Sequence, residues 1–188
     1  MLRHIPNTLC VLRMLLVLPV AWLLVHDDFR STLWVFGFAA VTDGLDGFLA
    51  KRFGWTSELG KILDPLADKI LLVSVFLLLA YLGLVPIWLA AAAVARDIII
   101  TAGAITYNYL YGYPNGKPTL VSKFNTLSQI LYLLLIVASH DVHASVAPID
   151  TILGAMVFVF TVVSGLDYVI TYSRKAIHAS RQQRQLAQ

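Results

Sequence analysis

Four aspartates lie within a short stretch of the sequence, at spacings that suit the face of a helix. Asp43 and Asp46 are three residues apart and Asp64 and Asp68 are four apart, so the members of each pair share a helix face. Gly60 lies on the same face as the second pair. Four carboxylates brought together would repel one another, and bound cations relieve that repulsion. Oxygen ligands suit Mg²⁺, Mn²⁺ or Ca²⁺, and such ions favour a phosphate or pyrophosphate substrate.

The chain that must position these acids has the composition of a membrane protein. Its 188 residues are 59% hydrophobic and 13% charged, with a mean hydropathy of +0.76. Soluble domains are about 45–50% apolar and about 25% charged. A helix needs about 20 apolar residues to cross a bilayer, so the length allows about six crossings. We predict an all-α polytopic membrane protein in which residues 1–188 form a single domain.

Six apolar runs predict the transmembrane helices. None alternates like a membrane strand, and in lipid the backbone groups must be hydrogen-bonded within each segment. Arg13 interrupts the first run and no cleavage site of small residues follows it, which predicts a retained helix rather than a signal peptide. The predicted helices are Thr8–Val25, Ser31–Ala50, Ile62–Leu82, Pro86–Leu110, Val121–Ser139 and Ile149–Tyr172.

Basic residues predict the orientation, because lysine and arginine favour cytoplasmic loops. The three loops on the opposite side contain Arg30 alone. The basic residues on the predicted inner side are Arg3, Lys51, Arg52, Lys61, Lys117, Lys123, Arg174, Lys175, Arg181 and Arg184. This places the acids just inside the cytoplasmic boundary, or the matrix boundary in a mitochondrion. The basic tail after residue 172 either binds anionic headgroups or acts as a topology signal.

The acidic stretch resembles the signature of the CDP-alcohol phosphatidyltransferase family. That signature runs Asp, two residues, Asp-Gly, two residues, Ala-Arg, eight residues, Gly, three residues, Asp, three residues, Asp. The positions that match it are Asp43, Asp46, Gly47, Ala50, Gly60, Asp64 and Asp68. The opening Ile5-Pro6-Asn7, with Arg13 after it, is also similar to this family. The signature's arginine is Lys51 here, followed by Arg52, and which of the two takes its role stays open.

The resemblance implies transfer of the phosphatidyl group of CDP-diacylglycerol to an alcohol, with release of CMP. It implies two divalent ions, Mg²⁺ or Mn²⁺, that hold the pyrophosphate. The implied metal ligands are Asp43, Asp46, Asp64 and Asp68. The positions implied to contact the CDP-lipid are Gly47, Ala50, Lys51 and Gly60. Asp68 is also the implied general base, although a metal-bound carboxylate is a weak base and would act by positioning as well.

The acceptor alcohol is predicted from residues outside this motif. Family members that use glycerol 3-phosphate carry a second arginine eight residues after the one that matches Arg96, and here that position is Ala104. The segment from residue 118 to 129 is more similar to members that use phosphatidylglycerol and form cardiolipin. We therefore favour phosphatidylglycerol, with glycerol 3-phosphate (giving phosphatidylglycerophosphate) as the alternative. Lys123 and Arg52 are candidates for binding the acceptor, although Lys123 also suits an interfacial lysine.

Arg96 and Asp97 lie deep in the fourth predicted helix, which favours an internal ion pair that can include Lys69 over substrate contact. A cation transporter and a metal-dependent lipid phosphatase are the rival classes, and only a transferase should release CMP in a strictly acceptor-dependent way. The family resemblance implies a homodimer among membrane lipids, and we expect no nucleic acid partner. The short N-terminus favours a prokaryotic inner membrane, with the mitochondrial inner membrane as the alternative.

Overall fold

The structure is a computed structural model that describes residues 5–53, 60–111, 119–142 and 147–186. The description covers the backbone only at residues 5–10, 43–53, 60–68, 104–105, 107–111, 147, 172 and 175–186. The described residues form helices and no strands, which confirms the all-α prediction. The helices are α1 (Ile5–Val25), α2 (Phe29–Phe53), α3 (Gly60–Tyr81), α4 (Ile87–Tyr111), α5 (Leu120–Asp141) and α6 (Ala147–Leu186).

Each predicted apolar run corresponds to one helix, but several helices extend beyond the run. The largest difference is at α6, which is 40 residues long and continues from the predicted end at residue 172 to Leu186. An apolar run marks the part of a helix that suits lipid and not its last residue. The tail from 173 to 186 is rich in Ala, Arg and Gln, which are good helix formers, and has neither Gly nor Pro to end the helix.

Short polar contacts begin two of the helices. The backbone N–H of Ser31 donates to the carboxylate of Asp28 at 3.0 Å, which caps α2 and holds the pKa of Asp28 below its usual value. Thr119 caps α5 in the same way, since its side-chain oxygen accepts from the N–H of Ser122 at 3.3 Å. Pro86 lies directly before α4, and its carbonyl accepts the N–H of Leu89.

The helices pack as a closed ring in the order α1, α2, α5, α6, α4, α3 and back to α1. Each helix contacts its two neighbours in this order, and α3 and α5 touch only slightly across the ring. Apolar side chains from all six helices fill the interior. Its buried residues include Leu24, Phe36, Phe76, Leu89, Leu133 and Val157.

The outer surface of the ring carries many large apolar side chains, such as Leu18, Trp34 and Ile152. Among the described residues, two stretches are long and apolar enough to cross a bilayer: Leu120–Asp141 in α5 and Pro148–Thr171 in α6. Only 33% and 22% of these stretches are buried, whereas the core helix of a soluble protein would be mostly buried. Length and composition therefore support membrane association, and α5 and α6 are its strongest candidates.

Candidate active site

The four motif aspartates lie on two helices that run without a break through them. Asp43 and Asp46 are in the second half of α2, and Asp64 and Asp68 are in the first half of α3. Each pair thus lies within one uninterrupted helix, as its spacing predicted. Four further predicted site residues lie on α2: Gly47, Ala50, Lys51 and Arg52. A fifth, Gly60, is the first residue of α3. The side chains of all these residues lie outside the described set, so their convergence stays a prediction.

A buried arginine of α1 lies between the two motif helices. Arg13 is 4% exposed and lines a small cavity of about 60 Å³ together with Ala40 of α2 and Leu72 of α3. Ala40 precedes Asp43 by three residues and Leu72 follows Asp68 by four, so each acidic pair shares a helix face with a residue that lines this cavity. A buried guanidinium is costly unless other groups compensate its charge. Arg13 therefore lies beside both motif helices, and in the sequence it stood out by its charge within the first apolar run and by family similarity.

A polar network surrounds Arg96 in the middle of α4. Its Nη1 donates to the Asp97 carboxylate at 2.6 Å, and both residues are buried. Its Nη2 donates to the hydroxyls of Ser122 at 2.7 Å and Ser164 at 2.6 Å, and its Nε donates to Ser164 at 3.2 Å. The predicted internal ion pair is confirmed. The two serines were not predicted as its partners, because hydroxyls occur elsewhere in the apolar helices, as at Thr161 of α6.

Lys69 joins this network from α3. Its ammonium donates to the carboxylate and the backbone oxygen of Asp97, both at 3.3 Å, and to the hydroxyl of Thr101 at 3.2 Å. This confirms the prediction that Lys69 takes part in the ion pair. We call Lys69, Asp97, Arg96, Thr101, Ser122 and Ser164 the Arg96 network. It links α3, α4, α5 and α6 directly beside the second acidic pair, since Lys69 follows Asp68 in the sequence.

Lys123, the candidate for binding the acceptor, lies in the first turn of α5. Its side chain is exposed, and the preceding Ser122 bonds to Arg96. Asn125 and Gln129, by contrast, are fully buried and bond to Thr161 of α6 at 2.9 and 3.4 Å. These two residues of the segment 118–129 therefore join α5 to α6, and the role of Lys123 in binding the acceptor stays a prediction.

A long apolar groove runs between α2 and α5 on the outside of the ring. Its volume is about 860 Å³, and every residue that lines it is apolar, including Leu33, Gly37, Val41, Leu127, Leu131 and Leu134. Two residues beyond Val41 along α2 comes Asp43. The groove and the first acidic pair thus lie on the same helix. A second groove of about 470 Å³ lies between α3 and α4, with Lys69, Asp97 and Thr101 in its lining.

Comparison with known protein families identifies the family of this chain. The profile of CDP-alcohol phosphatidyltransferases matches residues 3–180, which is nearly the whole chain and includes both acidic pairs. The chain belongs to the CDP-alcohol phosphatidyltransferase family. As a family member it carries seven signature positions on α2 and α3, with Lys51 in place of the signature's arginine.

Relatives within the family carry two different activities in their names. The human cardiolipin synthase (CMP-forming) is 36% identical over 151 residues, which are 72% of this chain and 49% of that protein. The CDP-diacylglycerol–glycerol-3-phosphate 3-phosphatidyltransferase of Pseudomonas fluorescens is 34% identical over 148 residues, 72% of this chain and 73% of that protein. The cardiolipin synthase (CMP-forming) of Streptomyces coelicolor is 28% identical over 158 residues, 80% of this chain and 72% of that protein.

These similarities do not separate the two acceptors, because 36% and 34% identity are nearly equal. The chain also spans only about half the length of the human relative. Among the side chains that the structure describes, there is no group of three or more His, Cys, Asp or Glu that could hold a metal ion. The four motif aspartates are not in that set.

Proposed function

We propose that this protein transfers the phosphatidyl group of CDP-diacylglycerol to phosphatidylglycerol, forming cardiolipin and releasing CMP. The observation that carries the proposal is the family signature in the second half of α2 and the first half of α3, in a chain that matches the family profile over residues 3–180. The 36% identity to a human protein named cardiolipin synthase (CMP-forming) supports it.

Two divalent ions, Mg²⁺ or Mn²⁺, fit the donor set of this site. Carboxylates supply only oxygen, which these hard cations prefer, and four of them lie at the ends of two helices that both pack against α1. The residues that would hold the ions are Asp43, Asp46, Asp64 and Asp68. When bound, the ions would supply positive charge that offsets the charge of the pyrophosphate.

The protein's own groups would carry out the remaining steps. Asp68 accepts the proton of the acceptor hydroxyl, whose oxygen forms a bond to the lipid-side phosphorus of CDP-diacylglycerol. The bond from that phosphorus to the bridging oxygen breaks, and CMP leaves. Gly47, Ala50 and Gly60 leave space for the nucleotide beside the acids. Lys51 or Arg52 contributes a positive charge next to it.

The choice of phosphatidylglycerol over glycerol 3-phosphate rests on the cations near the site. A soluble phosphate monoester needs strong cationic clamps. Arg96 is 5% exposed and bonded to protein groups, and the position eight residues later is Ala104. The remaining candidates are Lys123, an exposed cation on α5, and Arg52. So few cations suit the single charge of the phosphodiester in phosphatidylglycerol better than the double charge of glycerol 3-phosphate. The 34% identity to the Pseudomonas fluorescens glycerol-3-phosphate enzyme keeps that acceptor as the second candidate.

The apolar groove between α2 and α5 suits an acyl chain of CDP-diacylglycerol. Leu33 and Val41 are eight residues apart, so the groove follows α2 for about 12 Å at 1.5 Å per residue. The pyrophosphate of the same molecule would lie at Asp43, two residues beyond Val41 along α2. A lipid substrate bound here would keep its chains in the bilayer while its headgroup reaches the acids.

All six helices would span the membrane in this proposal, with the motif at the cytoplasmic side of a prokaryotic inner membrane or the matrix side of a mitochondrial one. The apolar outer surface of the ring and the asymmetry of the basic residues support this arrangement. We also expect a homodimer, as is common in the family.

The test is an assay of the full-length protein in detergent with Mg²⁺ or Mn²⁺ and CDP-diacylglycerol. Phosphatidylglycerol and glycerol 3-phosphate are supplied separately, and CMP and the lipid product are quantified. We expect CMP and cardiolipin with phosphatidylglycerol, and about a 100-fold or greater loss of rate in Asp68→Asn. Asp27→Asn, in the exposed turn before α2, is the control and should retain activity.

Each other outcome would point to a different activity. Phosphatidylglycerophosphate as the product would keep the mechanism and change the acceptor. Release of free phosphate without an acceptor would favour a lipid phosphatase. A folded protein that binds metal and releases no CMP with either acceptor would reject the transferase proposal and favour a cation transporter.

A further inference from the structure

The Arg96 network includes the sequence neighbours of two residues in the proposed mechanism, Asp68 and Lys123. Lys69 follows Asp68 on α3, and Ser122 precedes Lys123 in the first turn of α5. We propose that the network positions the acceptor-binding end of α5 relative to Asp68, and that the hydrogen bond from Arg96 to Ser122 is the contact through which it acts. This inference rests on the proposed function, and it assigns Arg96 and Ser122 as positioning residues for the acceptor.

Arg96 is placed to hold protein groups and not to bind substrate. Each of its three guanidinium nitrogens donates to the protein: Nη1 to Asp97, Nε to Ser164, and Nη2 to both Ser164 and Ser122. It is 5% exposed. Because the guanidinium is a rigid planar fork, bonds at its different nitrogens fix the relative positions of their partners. Arg96 can therefore affect the acceptor only through the elements it holds.

The network connects α3 and α5, two helices that pack against each other only slightly. In the ring, α3 and α5 are not neighbours and touch only slightly. The chain of contacts from Lys69 to Asp97 (3.3 Å), from Asp97 to Arg96 (2.6 Å) and from Arg96 to Ser122 (2.7 Å) joins them through α4. Asp68 and Lys123 each lie one residue from an end of this chain, so their separation depends on it.

Ser122 allows a clean test, because only its hydroxyl reaches Arg96. Its backbone N–H donates to Thr119 at 3.3 Å, and its carbonyl accepts from Thr126 at 3.2 Å. Alanine keeps both of these main-chain contacts. Ser122→Ala therefore leaves the cap of α5 in place and removes only the bond to Arg96.

Two serines provide matched controls. Ser164 lies on α6 and accepts from the same Nη2 at 2.6 Å and from Nε at 3.2 Å, so Ser164→Ala removes both of these bonds without releasing α5 from Arg96. Ser128 is on α5 and bonds only to the carbonyl of Asn125 at 2.8 Å among the contacts described, so Ser128→Ala tests the loss of a hydroxyl outside the network. Ser122→Thr keeps the hydroxyl and serves as the rescue variant.

The experiment measures CMP release while phosphatidylglycerol and CDP-diacylglycerol are varied separately. Loss of the net contribution of a typical hydrogen bond should raise the acceptor KM of Ser122→Ala about 3- to 10-fold, with the KM for CDP-diacylglycerol near that of the wild type. Ser164→Ala should lower the thermal unfolding midpoint and keep the acceptor KM near the wild-type value. Ser128→Ala should match the wild type, and Ser122→Thr should restore the acceptor KM.

Equilibrium binding of a fluorescent phosphatidylglycerol to the solubilised protein gives a second readout that needs no turnover. Ser122→Ala should weaken this binding by a factor similar to its effect on KM. Equal effects of Ser122→Ala and Ser164→Ala on KM and binding, or an effect of Ser122→Ala on thermal stability alone, would overturn the inference. A wild-type protein that releases no CMP would instead reject the proposed function, and the binding comparison would still decide the role of Ser122.

Discussion

At the scale of single residues, Asp97 holds two cations from different directions. Arg96 contacts its carboxylate at 2.6 Å and Lys69 at 3.3 Å, and Asp97 is 7% exposed. Removing one member of a buried ion pair leaves the remaining charge without its partner, which costs more than the pair itself contributes. Of the three residues, Asp97 should therefore contribute most to the stability of the protein, because both cations contact it.

This gives a prediction about stability. Asp97→Asn keeps the shape of the side chain but removes the charge that both cations face, and we expect the free energy of unfolding to fall by about 3 kcal/mol. Lys69→Met should cost less, because the Lys69 side chain is 29% exposed and Asp97 keeps Arg96. Thermal unfolding in detergent would measure both. A larger loss in Lys69→Met than in Asp97→Asn would contradict the prediction.

The sequence predicts the charged residues of this network but not its two serines. Arg96 and Asp97 are adjacent charges in an apolar run, and such charges must find partners within the protein. Ser122 and Ser164 are 26 and 68 residues from Arg96, and only the arrangement of α5 and α6 around α4 brings them close. Serine is common on helices for other reasons, so no local pattern identifies these two as partners.

At the scale of helices, the groove between α2 and α5 depends on a small residue. A Cβ added to Gly37 would meet Leu134 at 3.9 Å, which is an ordinary contact, so the backbones tolerate a side chain there. Anything longer would extend into the groove. Gly37 thus keeps the groove open without any requirement for an unusual backbone conformation.

Filling the groove should affect long acyl chains selectively. We expect Gly37→Leu to raise the KM for CDP-diacylglycerol with long chains several-fold, and to have a smaller effect on a short-chain analogue that needs less of the groove. Ala95→Leu, on the exposed side of α4, is the control. Steady-state CMP release with both substrates is the measurement, and equal effects on long and short chains would argue against an acyl chain in this groove.

The sequence predicts the existence of the helices better than their ends. Six apolar runs correspond to six helices because lipid requires both apolar side chains and internal backbone hydrogen bonds. The start of α2 follows from Asp28, whose carboxylate accepts from the backbone three residues later. The end of α6 does not follow from apolarity, because polar helix formers continue the helix after Thr171.

At the scale of the whole molecule, the closed ring places every helix beside two others and leaves one face of each toward the outside. An outer surface this rich in apolar side chains would be unfavourable in water. Composition could predict this surface, but not the order of the helices, because the order depends on which interior faces fit together. The separation of α2 from α3 by α1 is an example that no local pattern indicates.

The proposed six-span topology can be tested by cysteine labelling. Cys10 is the only cysteine, so a Cys10→Ala background allows single cysteines to be introduced at Pro86, between α3 and α4, and at Asn115, between α4 and α5. In sealed vesicles of known orientation, an impermeant maleimide should label these two positions from opposite sides. Labelling of both from the same side would rule out a membrane crossing by α4.

The length of α6 has an electrostatic consequence for the end of the chain. Its apolar stretch ends at Thr171, and the helix continues for 15 residues to Leu186, about 22 Å at 1.5 Å per residue. Arg174 and Lys175 lie within the first about 6 Å of this extension, while Arg181 and Arg184 lie about 15–20 Å along it. The screening length in about 0.1 M salt is about 10 Å. If α6 leaves the bilayer upright, anionic lipids would attract Arg174 and Lys175. Salt would screen Arg181 and Arg184 from the membrane, so these two charges would be available to bind other molecules.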